Sequence, residues 1–104
     1  MSEPEPVAVR AWGELRGEKN LPGTLRVLVA GQAAGGVQCD GTVWLAEWMT
    51  AAMHWQCTDH ATAEEAVARV IASGWARKLG ARKASRVYWS DKAKRRAARS
   101  GGAR

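Results

Sequence analysis

The sequence predicts an α+β protein: a small antiparallel sheet packed against two amphipathic helices, with a basic C-terminal arm. Three observations support this. Two Val-rich segments end at glycines, as strands do. Two later segments gather their apolar residues on one side of a helical projection. The last fifteen residues lose their large apolar side chains and gain Lys and Arg.

The elements follow in order. Val7 to Trp12 and Thr24 to Ala30 are rich in Val and alternate or run apolar, which predicts two strands. Gly13 to Gly23 holds Gly17, Asn20 and Pro22-Gly23, all turn formers, so these strands form a hairpin with a long loop. Gly31 to Gly36 reads as a flexible link, and Val37-Gln38-Cys39 as a short third strand. Asp40-Gly41 is a good hairpin turn and would make Val43 to Trp48 a strand. Against it, a projection at 100° per residue from Trp44 puts Trp48 at about 40° and Trp55 at about 20°, with Glu47, Thr50 and His54 on another side. That separation predicts a helix over Thr42–Gln56, its three Trp forming a core stripe; a Trp face that binds bases or a partner is the sharper alternative.

The second helix carries a stronger signature. Thr62-Ala63-Glu64-Glu65 is a capping box, and Ala63, Ala66, Val67, Val70 and Ile71 share one arc after it. Gly74 suits the left-handed turn that ends such a helix, with Trp75 folding back as its hydrophobic partner. Trp75 to Leu79 and Ala84 to Trp89 then form a hairpin, or a loop and one strand. Ser90-Asp91 can cap a short helix, but its only apolar residues are Ala93, Ala97 and Ala98, too few to dock by burial, and residues 100–104 read as a frayed end. The expected organisation is therefore one domain over 1–89 and an arm over 90–104, disordered or helical on binding. The order of a Trp-rich segment, Thr-Ala-Glu-Glu-Ala and a helix resembles AP2-type DNA-binding domains over Val43 to Ala72 only. That likeness requires strands at Val43–Trp48 and Met53–Cys57, which the helix over Thr42–Gln56 contradicts, so the expectation does not use it.

Composition bounds what such a fold can be. Of 104 residues, 20 are Ala and only 16 are Leu, Ile, Val or Phe, a share near that of disordered chains. Six Trp offset this, because each indole buries several times the area of an Ala. The result is one small domain without room for a deep cofactor pocket. No apolar run approaches the roughly 20 residues of a membrane span, and the acidic, Pro-rich opening is unlike a secretory signal. A soluble, cytoplasmic protein is expected.

Charge carries the main functional signal. The net charge of +6 divides into −5 over residues 1–65, where four Lys or Arg face nine acids, and +11 over residues 66–104, where twelve face Asp91 alone. A solvated basic surface is one explanation; an anionic partner is the other. Arg77, Lys78, Arg82, Lys83 and Arg86 precede Tyr88 and Trp89, and Lys92, Lys94, Arg95, Arg96 and Arg99 follow them. Arg forks and Lys point charges match phosphate oxygens, and an aromatic ring can stack on an unpaired base.

The other chemistry is weaker. Under the helix reading Cys39 and Cys57 lie about 20 Å or more apart, far beyond disulfide reach, whereas a hairpin would allow a bridge. His54, Cys57 and His60 stand three apart, but structural zinc takes four ligands, and surface His residues beside a small apolar Cys explain the spacing as well. Cys57 with a His base would still lack an orienting group and an oxyanion site. Gly31 to Gly36 lacks both the Gly-Lys-Ser/Thr ending of a phosphate loop and the dinucleotide spacing. No enzyme class, metal, cofactor or small-molecule substrate is expected. The expected function is phosphate-dominated nucleic-acid binding with little sequence readout, on DNA or RNA. The alternative is a protein-binding inhibitor or adaptor, for instance a phage or mobile-element factor of the anti-CRISPR kind, docking on a larger nucleic-acid-processing complex.

Overall fold

A computed structural model describes residues 3–21 and 23–102, the last four as backbone only. Six strands form one sheet in the order β5-β4-β3-β2-β1-β6, comprising β1 (Val7–Ala11), β2 (Thr24–Val29), β3 (Gln32–Asp40), β4 (Val43–Met49), β5 (Trp55–His60) and β6 (Val87–Trp89). Neighbouring strands are antiparallel except β6, which runs parallel to β1 with Val7 opposite Val87. Among the described residues there are three helices, α1 (Ala63–Ile71), α2 (Gly74–Lys78) and α3 (Asp91–Gly102). The expected α+β architecture, with an antiparallel sheet on two amphipathic helices, is thus replaced by a sheet-dominated fold with a mixed sheet.

The largest correction is the helix expected over Thr42–Gln56. This stretch is β4, a hairpin loop and the start of β5. Trp44, Ala46 and Trp48 alternate into the core at 1%, 0% and 5% exposure, while Leu45, Glu47 and Met49 face outward. Positions 44 and 48 share a side under either periodicity, and cross-strand pairing with β3 and β5 decides the matter. The hairpin of the competing strand argument forms, but its turn lies one residue later than Asp40-Gly41: Asp40 pairs with Val43, leaving Gly41-Thr42 as a two-residue loop with Gly41 at φ +67°. Trp55 does not join the core stripe and is 66% exposed.

Gly31 to Gly36, expected as a flexible link, is a turn followed by the first half of β3. Ala30 and Gly31, at φ +52° and +81°, close the β2–β3 hairpin. Gly35 has a packing role, because α1 crosses the sheet there. A Cβ on Gly35 would stand 2.7 Å from Val70 Cγ1 and still closer to the Glu47 carbonyl.

Buried and outward residues alternate along β1, β2 and β4, while β3 breaks the pattern at a bulge opposite Val27 and Leu28, so that Ala34 and Val37 are both buried. Val7, Val9 and Ala11 of β1, Leu25, Val27 and Val29 of β2, Val37 of β3 and the β4 set form one buried face. Ala63, Ala66, Val67 and Val70 of α1 pack on it. α1 touches both α2 and α3, so all three helices share that side and the opposite face carries none. The capping box forms as expected in part: Thr62 Oγ1 accepts from Glu65 N at 3.1 Å, while the Glu65 carboxylate accepts from Ala61 N instead of Thr62 N. Gly74 does not end α1 in a left-handed turn. Ala72 caps it in ordinary helical geometry, Ser73 caps the start of α2, and Trp75 anchors by donating its indole N–H to the Ala33 carbonyl at 3.1 Å.

Among the described residues, no helix is long and apolar enough to cross a membrane.

Candidate nucleic-acid interface

The sequence polarity becomes a spatial one. Residues 27–68 contain no Lys or Arg and five acids, and they build β3, β4, β5 and most of α1. The basic residues gather around β6, at the far edge of the same sheet.

α3 provides the first part of the basic surface. Ser90 caps it: Ser90 Oγ accepts from Ala93 N at 3.1 Å and donates to the Glu14 carboxylate, which also accepts from Ala11 N at 2.6 Å. Ala93 and Ala97, one turn apart, are 0% and 8% exposed and lie on the β1 side of the sheet. Methyl groups suffice because a helix whose inward residues are small can approach a sheet closely. The segment expected to lack a docking face therefore seats on two alanines. Lys94 and Arg95 point outward and are exposed, and Lys92 is partly exposed. Arg99 lies on the α3 backbone, with its side chain outside the described residues, as are residues 103–104.

Arg96 differs from its neighbours. Its guanidinium donates to the Leu21 carbonyl at 3.1 Å, the Thr24 carbonyl at 2.9 Å and Asn20 Oδ1 at 2.6 Å. It therefore clasps the long β1–β2 loop to α3. That loop is also held by Glu18, which accepts from Gly13 N at 3.1 Å and pairs with Arg26.

The second basic group surrounds the entry to β6. Arg77 and Lys78 end α2, and Lys78 Nζ lies 5.8 Å from the Trp75 ring centroid. Arg82 folds back to cap α2, donating to the carbonyls of Arg77 at 3.0 Å and Ala81 at 2.7 Å. Lys83 and Arg86 are exposed in the loop that leads into the strand. Among the described residues the ion pairs are Arg10–Glu14 and Arg26–Glu18, so none of the nine C-terminal candidates with described side chains forms an ion pair, although Glu3 and Glu5 line one cleft with Lys78 and Arg82.

The two aromatic neighbours separate. Trp89 pairs with Val9 and packs against the core, whereas Tyr88 stands on the helix-free face at 62% exposure. Sequence reasoning missed the residues that share this face: Arg10 and Arg26, opposite one another on β1 and β2, and Trp12, whose ring lies 3.6 Å beneath the Arg26 guanidinium. The period-2 pattern of β1 and β2 held that signal.

The cysteine and histidine candidates do not converge. Alternation along β5 puts Cys57 on the open face and His60 on the helix side, where His60 Nε2 hydrogen bonds to Thr58 Oγ1 at 2.7 Å; His54 sits in the preceding turn. Among the described residues, no group of three or more His, Cys, Asp or Glu is placed to hold a metal ion. Cys39 and Cys57 are free. They face opposite sides of the sheet with β4 between them, a separation of about 9 Å or more, so the hairpin geometry does not permit a bridge either. Desolvation pushes the Cys57 thiol above its ordinary pKa, with Glu47 and Asp59 adding to the rise.

β4 and β5 supply the strands that the AP2-type likeness required, at Val43–Met49 and Trp55–His60. No family model, curated protein or solved structure matches the chain.

Proposed function

We propose that this is a small nucleic-acid-binding protein, not an enzyme, which holds its ligand mainly through phosphate contacts. The observation that carries the reading is the surface around β6 and α3, where Arg77, Lys83, Arg86, Lys94 and Arg95 are exposed and lack acidic partners. Exposed cations cost little to leave unpaired in water and gain when they displace condensed counterions from a phosphate chain. The α3 surface is already folded, so binding does not spend affinity on ordering an arm. Two free thiols are consistent with a cytoplasmic setting.

The test is the salt dependence of oligonucleotide binding. About five neutralised phosphates give a slope of log K against log[salt] near −4.5 for duplex DNA. Replacing Lys83, Arg86, Lys94 and Arg95 with Gln should flatten it by about 3 to 4. Affinity that stays constant from about 50 to 200 mM salt would refute the reading.

A protein partner is the second reading, and one feature favours it. β5 is an edge strand that carries Asp59 and begins at Trp55, beside Met53, the one 66% and the other 73% exposed. An open strand edge with large apolar residues can pair with an extended segment of another chain. Partner capture that survives nuclease treatment would support this reading, and loss of every partner would support the first.

A further inference from the structure

We infer that the ligand is single-stranded and that Tyr88, on the helix-free face of β6, is the platform on which one of its bases stacks. This rests on the phosphate-binding reading above and specifies the form of nucleic acid.

The argument begins with the neighbours of Tyr88. Its ring is 62% exposed on an edge strand. On the adjoining strand its register partner is Ala8, and beyond that stands Leu28. A methyl group beside the tyrosine leaves the ring uncovered. The Arg86 carbonyl accepts from Val7 N at 2.8 Å, which extends the ladder backward and, by alternation, places Arg86 on the same side as Tyr88. Arg10, which pairs with Glu14 at 3.7 Å, lies two residues along β1 from Ala8 on that face. An uncovered aromatic ring therefore stands among cations at the margin of the sheet. Stacking on such a ring needs an unpaired base, because bases within a duplex already stack on one another.

The positions of the cations point the same way. Arg86 and Tyr88 belong to the open face, whereas Lys94 and Arg95 belong to α3, which packs over β1 on the helix-bearing face. A ligand that contacts both must bend around β6. A duplex, with a persistence length of about 50 nm, resists so tight a turn, and a single strand follows it readily. The acidic half of the sheet, with Glu47 and Asp59 on the open face, repels a phosphate chain and confines its path to the β6 side.

The experiment compares a fluorescein-labelled 12-nucleotide dT strand with a mixed-sequence duplex of the same length by anisotropy, over a salt series, using the full chain. The expected result is tighter binding of the single strand, with Tyr88→Ala weakening it about 5- to 150-fold and leaving the duplex affinity within about twofold. Tyr88→Phe, which retains the ring, should bind the single strand as the parent does. Circular dichroism of each variant checks that the fold is unchanged. If single strand and duplex bind equally, with a steep salt slope and no effect of Tyr88→Ala, the stacking platform is refuted while the phosphate reading stands. If neither binds at about 50 mM salt, the phosphate reading fails and the platform fails with it.

Discussion

Two kinds of arginine on α3 should separate experimentally, and Arg96 is the case to develop. Its guanidinium makes three hydrogen bonds to the β1–β2 loop, while Arg95 beside it makes none to the described residues and is exposed. The informative change is Arg96→Lys, which keeps the charge and loses the fork. A hydrogen bond from a charged donor contributes about 1.5–3 kcal/mol when buried, and Arg96 is only partly buried, so about 1 kcal/mol per lost bond is the appropriate scale. A lysine ammonium can recover one of the three, leaving a net cost of about 2 kcal/mol. For a domain of this size that lowers Tm by about 8–16 °C. Thermal unfolding followed by Trp fluorescence measures the loss, and the anisotropy salt series measures binding. Arg96→Lys should lower Tm and leave the salt slope as it was, since the positive charge remains. Arg95→Gln should leave Tm within about 2 °C and reduce the slope by about 0.7–0.9. The reasoning is refuted if Arg96→Lys leaves Tm unaltered, or if Arg95→Gln unfolds the domain without touching the slope.

Two further outcomes test the fold and the open face. Gly35→Ala should destabilise the domain by about 3 kcal/mol or more, because the new methyl meets both Val70 and the backbone of β4, and the backbone cannot rotate away; a Tm equal to that of the parent would show that α1 does not cross β3 as described. Cys57 should alkylate at pH 8 more slowly than a model thiol, since desolvation and the neighbouring carboxylates keep its pKa above the usual value of about 8.5 and so reduce the thiolate fraction. Glu47→Gln should quicken that reaction and shift its pH profile downward, as read from peptide-level mass spectrometry. The same sign sets a pH dependence of stability: the contribution of Cys57 is fully present below the unfolded-state pKa and is lost as pH rises from there through the higher folded-state pKa. A profile that does not move with Glu47→Gln would contradict the register that puts Glu47 opposite Cys57.

Local chemistry was legible wherever one segment settles its own conformation. β1, β2 and α1 could be read from Val-rich runs, turn residues and the Thr62 cap, because these signals act within a few residues. Most of the errors involve partners distant in sequence; the reading of Gly74 to Leu79 fails locally, because Ser73 caps the start of α2 there. Trp44 and Trp48 fit a helix and a strand equally well, and only pairing with β3 and β5 excludes the helix. Gly35 resembles a linker residue until α1, some thirty residues later, is laid across it. β6 falls within the strand read at Ala84–Trp89, but its parallel pairing with β1, eighty residues earlier, has no local signal. α3 seemed unable to dock because hydrophobic area was counted on the helix alone, whereas Ala93 and Ala97 need only be small enough for the sheet to come close. The same distinction divides the candidate site. Composition located the cations, but it could not separate Arg82 and Arg96, which hold the protein's own carbonyls, from Lys83, Arg86, Lys94 and Arg95, which do not. Nor could it separate Tyr88 from Trp89, adjacent in sequence and on opposite faces of one strand. A basic segment becomes a binding surface only after the fold has taken the charges it needs for itself. The cations left over here, with one uncovered ring beside them, follow the edge of a sheet, and a flexible strand can trace that path.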